Sequence, residues 1–481
     1  MSLHPRKALA SVSWSFLEGT SLAALSFATL VIVTRRVTPT EMGAFAVGLA
    51  FIEIATTAVT MFFHDAVIRK AELSERDLDT AFTTTVVTGL VMALIIAGSA
   101  PFLSLLFEND LTCYVLVALS PCVLISSLGA VTVADNKRHL EFKSLAVRSI
   151  LGRVLGALIA IALAFAGGGL WSLVAQQFVM VSVSTFVLLW RATRKPKLLF
   201  DQVLFRELIV FAAQSMTVLL LNFSLRRIFI MVVGVLLGVA QAGYINVAFR
   251  TIDTLWSLSA GALQQVALPV LSRTHEDLVT FRRHFATFMY LASLALYPLF
   301  AGLAYFSEES ISLLFGEAWL PSSIYVVYLG TLVLLQVPRM VLSTTLIAAG
   351  FPGDQIVSSI AQFVLLAVAI LVFGVERPLD AVLIWISVEA IQVPILSRCL
   401  KLRTQISFAG QIRPLARPLL ACAVMTVGLF VLTPFLRPNV HLASFILAVA
   451  AGGCIYVLCA AALDLKSCRL VFKHVRSRFD V

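Results

Sequence analysis

Long apolar blocks alternate with short polar stretches along the whole chain. Blocks near 11–34, 42–66, 80–106, 113–134, 146–166, 170–190, 208–236, 241–268, 285–306, 321–349, 356–374, 379–398, 415–433 and 442–463 each run to roughly twenty residues or more, the length of a bilayer-spanning helix. They number fourteen. The breaks between them hold turn formers: "VTPTEMG", "FEND", "GGG", "FGEAWLPS", "GFPGDQ" and "VERPLD". An even number of spans puts both termini on one side of the membrane. The first block is too long for the apolar core of a cleavable leader, and no small-residue cleavage pattern follows it, so it is predicted as the first transmembrane helix.

Composition turns this pattern into a class. The 481 residues are 60% hydrophobic and 13% charged, with mean hydropathy +0.97. Soluble domains hold about 25% charged and 45–50% apolar residues. No water-soluble fold hides so much apolar surface, so the chain is predicted as an all-α polytopic membrane protein. Its seven cysteines form no CxxC pair and suit apolar packing. Its seven histidines show no HExxH or other ligand spacing, and no metal or cofactor is expected.

Lys and Arg set the orientation. With the N-terminus in the cytoplasm, cytoplasmic ends and loops hold 28 of the 36 basic residues. The opposite side holds 4 (Arg35, Arg36, Arg377 and Arg437), and 4 lie inside helices (Arg226, Arg227, Arg250 and Arg339). The net charge of +10 is therefore a topology signal and not a nucleic-acid-binding one. Outer loops are too short to fold as domains, which confines function to the helix bundle or its cytoplasmic rim. "DLD" at 77–79 imitates a metal-binding motif of sugar transferases, but it has no nucleotide-binding domain around it and is predicted as a solvated turn.

The chain also repeats itself. "EMGAFAVGLAFIE" at 41–53 matches "QAGYINVAFRTID" at 241–253 with an offset of 200, pairing Gly43 with Gly243, Val47 with Val247, Ile52 with Ile252 and Glu53 with Asp253. "RDLDTAF" pairs Asp77 with Asp277, and "SLLF" at 104–107 recurs at 312–315. Two six-helix lobes follow, 1–200 and 201–400, with two further helices and a basic tail over 401–481. Six spans per lobe preserve orientation, so the lobes are predicted as parallel repeats, a symmetry common in secondary transporters.

Charges within the spans carry the candidate chemistry. An Arg at the centre of a spanning helix costs about 2.5–3.5 kcal/mol on insertion scales. Arg226 and Arg227 stand side by side inside "LLLNFSLRRIFIMVVGVLL", with Asn222 one turn before Arg226. Asn246, Arg250, Asp253, Ser257, Gly261 and Gln264 form one polar stripe down the next helix. Gln336, Arg339 and Ser343 follow in another, beside Pro338. Glu53, Thr57, Thr60 and His64 make a weaker stripe, Glu18 stands in the first helix, and Glu389 lies near Gln392 and Pro394. A guanidinium grips phosphate through paired hydrogen bonds in a dry site. Plainer readings stand beside this one. Arg250 and Asp253 can neutralise each other, the Arg226/Arg227 pair can be matched by Glu18 or Glu53, Arg339 can reach toward the cytoplasm, and Glu389 can be a protonated packing residue.

Several stretches, taken in order, resemble bacterial polysaccharide flippases. They include "VSWSFLEGTSLAALSFATLVIVTRRVTPTEMGAFAVGLAFIE", "ADNKRHLEFKSLAVRS", "GLWSLVAQQFV", "LLLNFSLRRIFIMVVGVLLGVAQAGYINVAFR", "LPVLSR", "LLFGEAWLPSS" and "IAAGFPGD". The resemblance is to the exopolysaccharide and lipopolysaccharide exporter branch of the multidrug/oligosaccharidyl-lipid/polysaccharide superfamily, over about residues 8–415. It implies a two-lobed bundle of 6+6 transmembrane helices like the multidrug and toxin extrusion transporters, plus two C-terminal helices. It implies transport of undecaprenyl-diphosphate-linked oligosaccharide from the cytoplasmic to the periplasmic leaflet of the bacterial inner membrane, for surface polysaccharide biosynthesis. Arg226 and Arg250 fall where the family usually has Arg. Phe229 and Ile230 stand where relatives commonly have Asp and Lys.

The expected substrate-binding set is Arg226, Arg227, Arg250, Arg339, Asn222 and Asn246, with Asp253, Glu53 and Glu18 as coupling-ion or charge-balance groups and no catalytic residue. The expected partners are the lipid-linked oligosaccharide, membrane lipids, and polymerase and chain-length-control proteins of the same route, with no nucleic acid and a monomeric state. Two rivals share parts of this reading. A small-molecule or drug antiporter has the same fold but usually favours cations. A membrane-embedded polymerase or transferase typically needs a large periplasmic loop.

Overall fold

The computed structural model describes residues 23–70, 73–192, 194–274, 277–436 and 442–463, without the side chains at 69, 207–208, 210–219, 221–222, 262, 265, 433, 435–436 and 442–443. Glu18 lies outside the described residues, as does the side chain of Asn222. The described chain forms seventeen α-helices and no strand. These are α1 (Ala23–Thr34), α2 (Pro39–Met61), α3 (His64–Arg69), α4 (Glu75–Leu106), α5 (Asp110–Leu119), α6 (Pro121–Arg138), α7 (Phe142–Phe165), α8 (Leu170–Arg191) and α9 (Gln202–Leu237). There follow α10 (Val239–Arg273), α11 (Leu278–Tyr305), α12 (Ser307–Phe315), α13 (Ser322–Ala348), α14 (Gly353–Phe373), α15 (Pro378–Thr404), α16 (Phe408–Leu436) and α17 (Leu442–Leu463).

Eleven spans among the described residues are long and apolar enough to cross a membrane. They are α2 with α3, α4, α5 with α6, α7, α8, α11, α13, α14, α15, α16 and α17. The other three predicted blocks fall on α1, α9 and α10. The chain is thus a multi-pass, all-α membrane protein. α9 and α10, at 36 and 35 residues, are the longest helices described, and they carry Arg226, Arg227, Arg250 and Asp253.

Local chemistry sets the helix starts. Thr38 and Glu41 form a reciprocal capping box at α2, and Ser74 and Asp77 form another at α4. Asp201 caps α9 by accepting from the Val203 and Leu204 amides. Asp277 caps α11, accepting from the Val279 and Thr280 amides and from Thr280 Oγ1, bonds that hold its carboxyl below the usual carboxylate range.

Two predicted blocks are broken by the backbone. The block at 42–66 turns at Phe62–Phe63, so His64 opens α3 and leaves the helix that carries Glu53, Thr57 and Thr60. The block at 113–134 breaks at Ser120, before Pro121, which has no amide to continue the ladder. The reading of 77–79 as a solvated turn is also corrected. Asp77 lies in the first turn of α4 and Asp79 just after it, and they are 2% and 5% exposed. Lys70 pairs with Asp77 at 2.8 Å, while Arg194 (2.7 Å) and the Lys197 amide (2.9 Å) bind Asp79. The loop after α8 is thereby strapped along α4, with Leu199 bonded in both directions to Thr83 and the Asp201 amide to Thr80. The two aspartates serve as fasteners.

By packing, the chain divides into two compact units. The first comprises residues 1–258, 314–319 and 374–381, and the second 259–313, 320–373 and 382–481. In the first, α2 packs against α4, α5, α6, α8 and α9, and α7 pairs with α8 along its length. In the second, α11 is the hub for α13, α16 and α17. Tyr297 Oη bonds the Leu334 carbonyl, Tyr456 Oη bonds the Leu294 carbonyl, and Phe306 meets Phe445 edge-on. Both units invert the soluble pattern. α4 turns Val87, Leu90, Val91, Leu94 and Ile95 outward, where a bilayer solvates them.

The aligned glycines of the repeat meet in the first unit. α2 and α10 approach so closely at Gly43 and Gly243 that a β-carbon on Gly43 would overlap the Val239 carbonyl oxygen and stand 3.0 Å from the Gly243 amide nitrogen. A β-carbon on Gly243 would overlap the Pro39 carbonyl oxygen and stand 2.9 Å from the Gly43 nitrogen. No other residue permits backbone-to-backbone contact of this kind. The repeated "SLLF" also ends alike. The next residue is left-handed in both copies, Glu108 at φ 48° and Gly316 at φ 96°.

Candidate functional site

Ten residues below that glycine crossing, α2 and α10 carry Glu53 and Asp253, the carboxylates aligned by the repeat. α9 places Arg226 and Arg227 beside them. Adjacent helical residues point about 100° apart, so one α9 site serves two neighbours. Arg226 turns to α10 and its Nη1 donates to Asp253 Oδ2. Arg227 turns to α2 and its Nε donates to Glu53 Oε2 at 2.9 Å. The plainer sequence reading that joins Arg250 to Asp253 is replaced: Asp253 goes to Arg226.

Aromatic rings steady both arginines. The Arg226 guanidinium stands 4.7 Å from the centre of Phe249, which is buried and held edge-on by Phe229 at 6.0 Å. The Arg227 guanidinium stands 3.7 Å from Phe223, and its Nη1 donates to the Phe223 carbonyl at 3.0 Å. A ring face adds cation–π attraction without neutralising the charge. Sequence reading missed both rings. Phe223 was legible, four residues before Arg227 on the same helical face. Phe249 was not, because it serves Arg226 from another helix.

These groups line an open cleft of about 140 Å³. Its wall also includes Ala46, Leu49 and Ala50 of α2, Ile230 of α9, and Asn246 and Arg250 of α10. Ala46 and Ala50 leave the room that larger side chains would fill. The charges sum to three arginines against two carboxylates, an excess of one positive charge. Arg250 and Asn246 differ from the paired groups. The Arg250 guanidinium feels Glu53, Asp253 and Arg227 but makes no hydrogen bond or ion pair among the described residues. One turn earlier on α10, Asn246 Nδ2 is buried without a hydrogen-bond partner among them. An unmet buried donor is costly, and the Asn246 amide and the Arg250 guanidinium leave donors on this wall of the cleft that no described residue takes up.

Of the expected binding set, Arg226, Arg227, Arg250 and Asn246 share this cleft, together with Glu53 and Asp253. Arg339 belongs to the second unit. There its Nε lies 3.5 Å from Glu389 Oε2, and Gln362 Nε2 donates to Glu389 Oε1 at 2.9 Å. Glu389 thus has an amide bonded to one oxygen and a cation beside the other, while Arg339 Nε and Glu389 Oε2 are buried without a hydrogen bond among the described residues.

Residues 32–324 match the sequence model of the polysaccharide biosynthesis protein family, more than half of the chain. The chain belongs to that family. Among its relatives are the succinoglycan biosynthesis transport protein ExoT of Rhizobium meliloti (strain 1021), 26% identical over 64% of this chain and 63% of that protein; the teichuronic acid biosynthesis protein TuaB of Bacillus subtilis (strain 168), 21% identical over 66% of each; and the lipopolysaccharide biosynthesis protein WzxC of Escherichia coli (strain K12), 20% identical over 66% of this chain and 65% of that one. The chain thus aligns with just under two thirds of the length of these curated relatives. Among solved structures, the lipid II flippase MurJ in an inward closed conformation superposes with TM-score 0.75 at 14% identity, over 92% of this chain and 98% of that one. An inward-facing multidrug resistance MATE family transporter of the MOP superfamily gives 0.56 at 14% identity, over 82% and 94%. This family member therefore has the MurJ and MATE fold.

Proposed function

We propose that this protein moves a lipid-linked, phosphate-bearing oligosaccharide from the cytoplasmic to the periplasmic leaflet of the bacterial inner membrane, for a surface polysaccharide such as exopolysaccharide, O-antigen or capsule. The observation that carries the reading is the cleft's positive excess, with Arg250 and Asn246 offering donors that no described residue takes up. Undecaprenyl diphosphate fits this chemistry. Its phosphates meet guanidinium and amide donors, the sugars stay in the aqueous cleft, and the polyprenyl tail stays in lipid. The family match and the flippase fold support the same direction.

In this reading the protein breaks no covalent bond and is not an enzyme. It lowers the barrier to carrying a hydrated, charged head group through hydrocarbon. An inside-negative potential assists outward passage of an anion by about 2.3 kcal/mol per charge per 100 mV. The basic loops support a topology with both termini in the cytoplasm, and in this reading the protein works as a monomer beside polymerase and chain-length-control proteins. The drug-antiporter reading is disfavoured by the positive excess, which repels the cations such antiporters usually favour.

The test is the leaflet distribution of diphosphate-linked oligosaccharide in cells with and without the protein. Accumulation on the cytoplasmic face in its absence is expected. An unchanged distribution, with no redundant exporter present, would remove the lipid-linked substrate and leave small anionic solutes to be tested.

A further inference from the structure

Within the cleft, the two carboxylates occupy the groups that a phosphate would want. Each does so weakly. Asp253 meets Arg226, and Glu53 meets Arg227, through a single nitrogen–oxygen contact and not the paired fork that guanidinium can make. The four side chains are 28–48% exposed, Asp253 the most and Arg227 the least. Half-exposed, single-contact pairs are marginal and readily exchanged. Phosphoryl oxygens offer the fork geometry that these carboxylates do not use.

We propose that Glu53 and Asp253 are resident counter-anions of the cleft: they hold Arg227 and Arg226 while it is empty, give them up to the phosphates of the ligand, and reclaim them on release. This rests on the reading of the cleft as a site for a lipid-linked phosphate. It assigns the carboxylates a role in affinity and selectivity. Each competes at its own arginine, and a ligand with two phosphoryl groups displaces both in one binding event. A ligand with one phosphoryl group displaces one and leaves the other pair closed. The site therefore favours a lipid diphosphate over a lipid monophosphate. Two competitors fixed beside the arginines also keep a doubly charged ligand from being held too tightly to leave.

Farnesyl diphosphate and farnesyl monophosphate are suitable probes, titrated against the purified full-length protein in detergent. Glu53→Gln and Asp253→Asn are each expected to tighten farnesyl diphosphate about tenfold, and the double variant about 100-fold, the loss of one charged competitor at each arginine. For the monophosphate the double variant is expected to gain no more than the better single one. Glu53→Asp keeps the charge and should bind as wild type does. Folding is checked by size-exclusion profile, and the single variants carry the test if the double one does not fold. Unchanged or weaker diphosphate binding in folded variants would overturn the counter-anion role while the anion site stands. Equal gains for both probes would overturn the selectivity claim. Failure of wild type and every folded variant to bind either probe would overturn the phosphate reading itself.

Discussion

The two units each hold an arginine–carboxylate arrangement inside apolar sequence, and they are built differently. In the first, three arginines face two carboxylates in an open cleft, and the ion-paired side chains are about one-third to one-half exposed. In the second, one arginine faces one carboxylate, and Glu389 is 8% exposed with Gln362 on its other oxygen. The second arrangement is balanced in charge and largely closed on its acid. The first is unbalanced and accessible. Intramembrane charge alone therefore does not mark a site. Excess charge and exposure are what separate the two arrangements.

The largest expected effect tests the cleft. Arg226→Ala with Arg227→Ala should cut export about 100-fold or more, since two charge-assisted phosphate contacts are lost, with the protein still inserted and present at normal level. Normal export from that stable variant would end the case for the cleft. Arg250→Ala should lower export about tenfold or more by removing the open cation, read as export per inserted molecule. Sharper still is a paired neutralisation in the second unit. Arg339→Gln with Glu389→Gln should leave export within about twofold of wild type, because neutralising both partners of a closed pair is often tolerated. Loss of export from a folded form of that variant would bring Arg339 into substrate contact, as the sequence suggests.

Smaller effects concern stability. Glu389→Ala alone strands Arg339 beside an emptied buried position and should cost about 3 kcal/mol, measured by thermal unfolding in detergent. Glu53→Gln strands Arg227 in a half-exposed cleft and should cost no more than about 1 kcal/mol. Equal costs at the two positions would erase the distinction between them.

Much of this was legible in the sequence because bilayer-length apolar blocks are long, repeated signals. Fourteen blocks and the charge asymmetry need no contact information. The stripe on α10 was legible for the same reason, since Asn246, Arg250 and Asp253 share a face by their spacing alone. Partner choice was not. That Asp253 goes to Arg226 and not to Arg250, three residues away, depends on how α9 lies beside α10. Spacing within one helix is silent on that. The breaks at Phe62–Phe63 and at Ser120 were lost inside uninterrupted apolar runs. The burial of Asp79 was hidden because its fasteners come from the loop around Arg194, more than a hundred residues away.

The crossing of α2 and α10 at Gly43 and Gly243 has a mechanical consequence. Glu53 and Asp253 each lie ten residues along from their glycine, which at about 1.5 Å per residue is an arm of about 15 Å. A change of about 10° at the fulcrum swings the end of such an arm by roughly 3 Å. That distance separates an intact ion pair from a broken one. A slight tilt of these two helices at their crossing would thus be felt as an exchange of partners ten residues away.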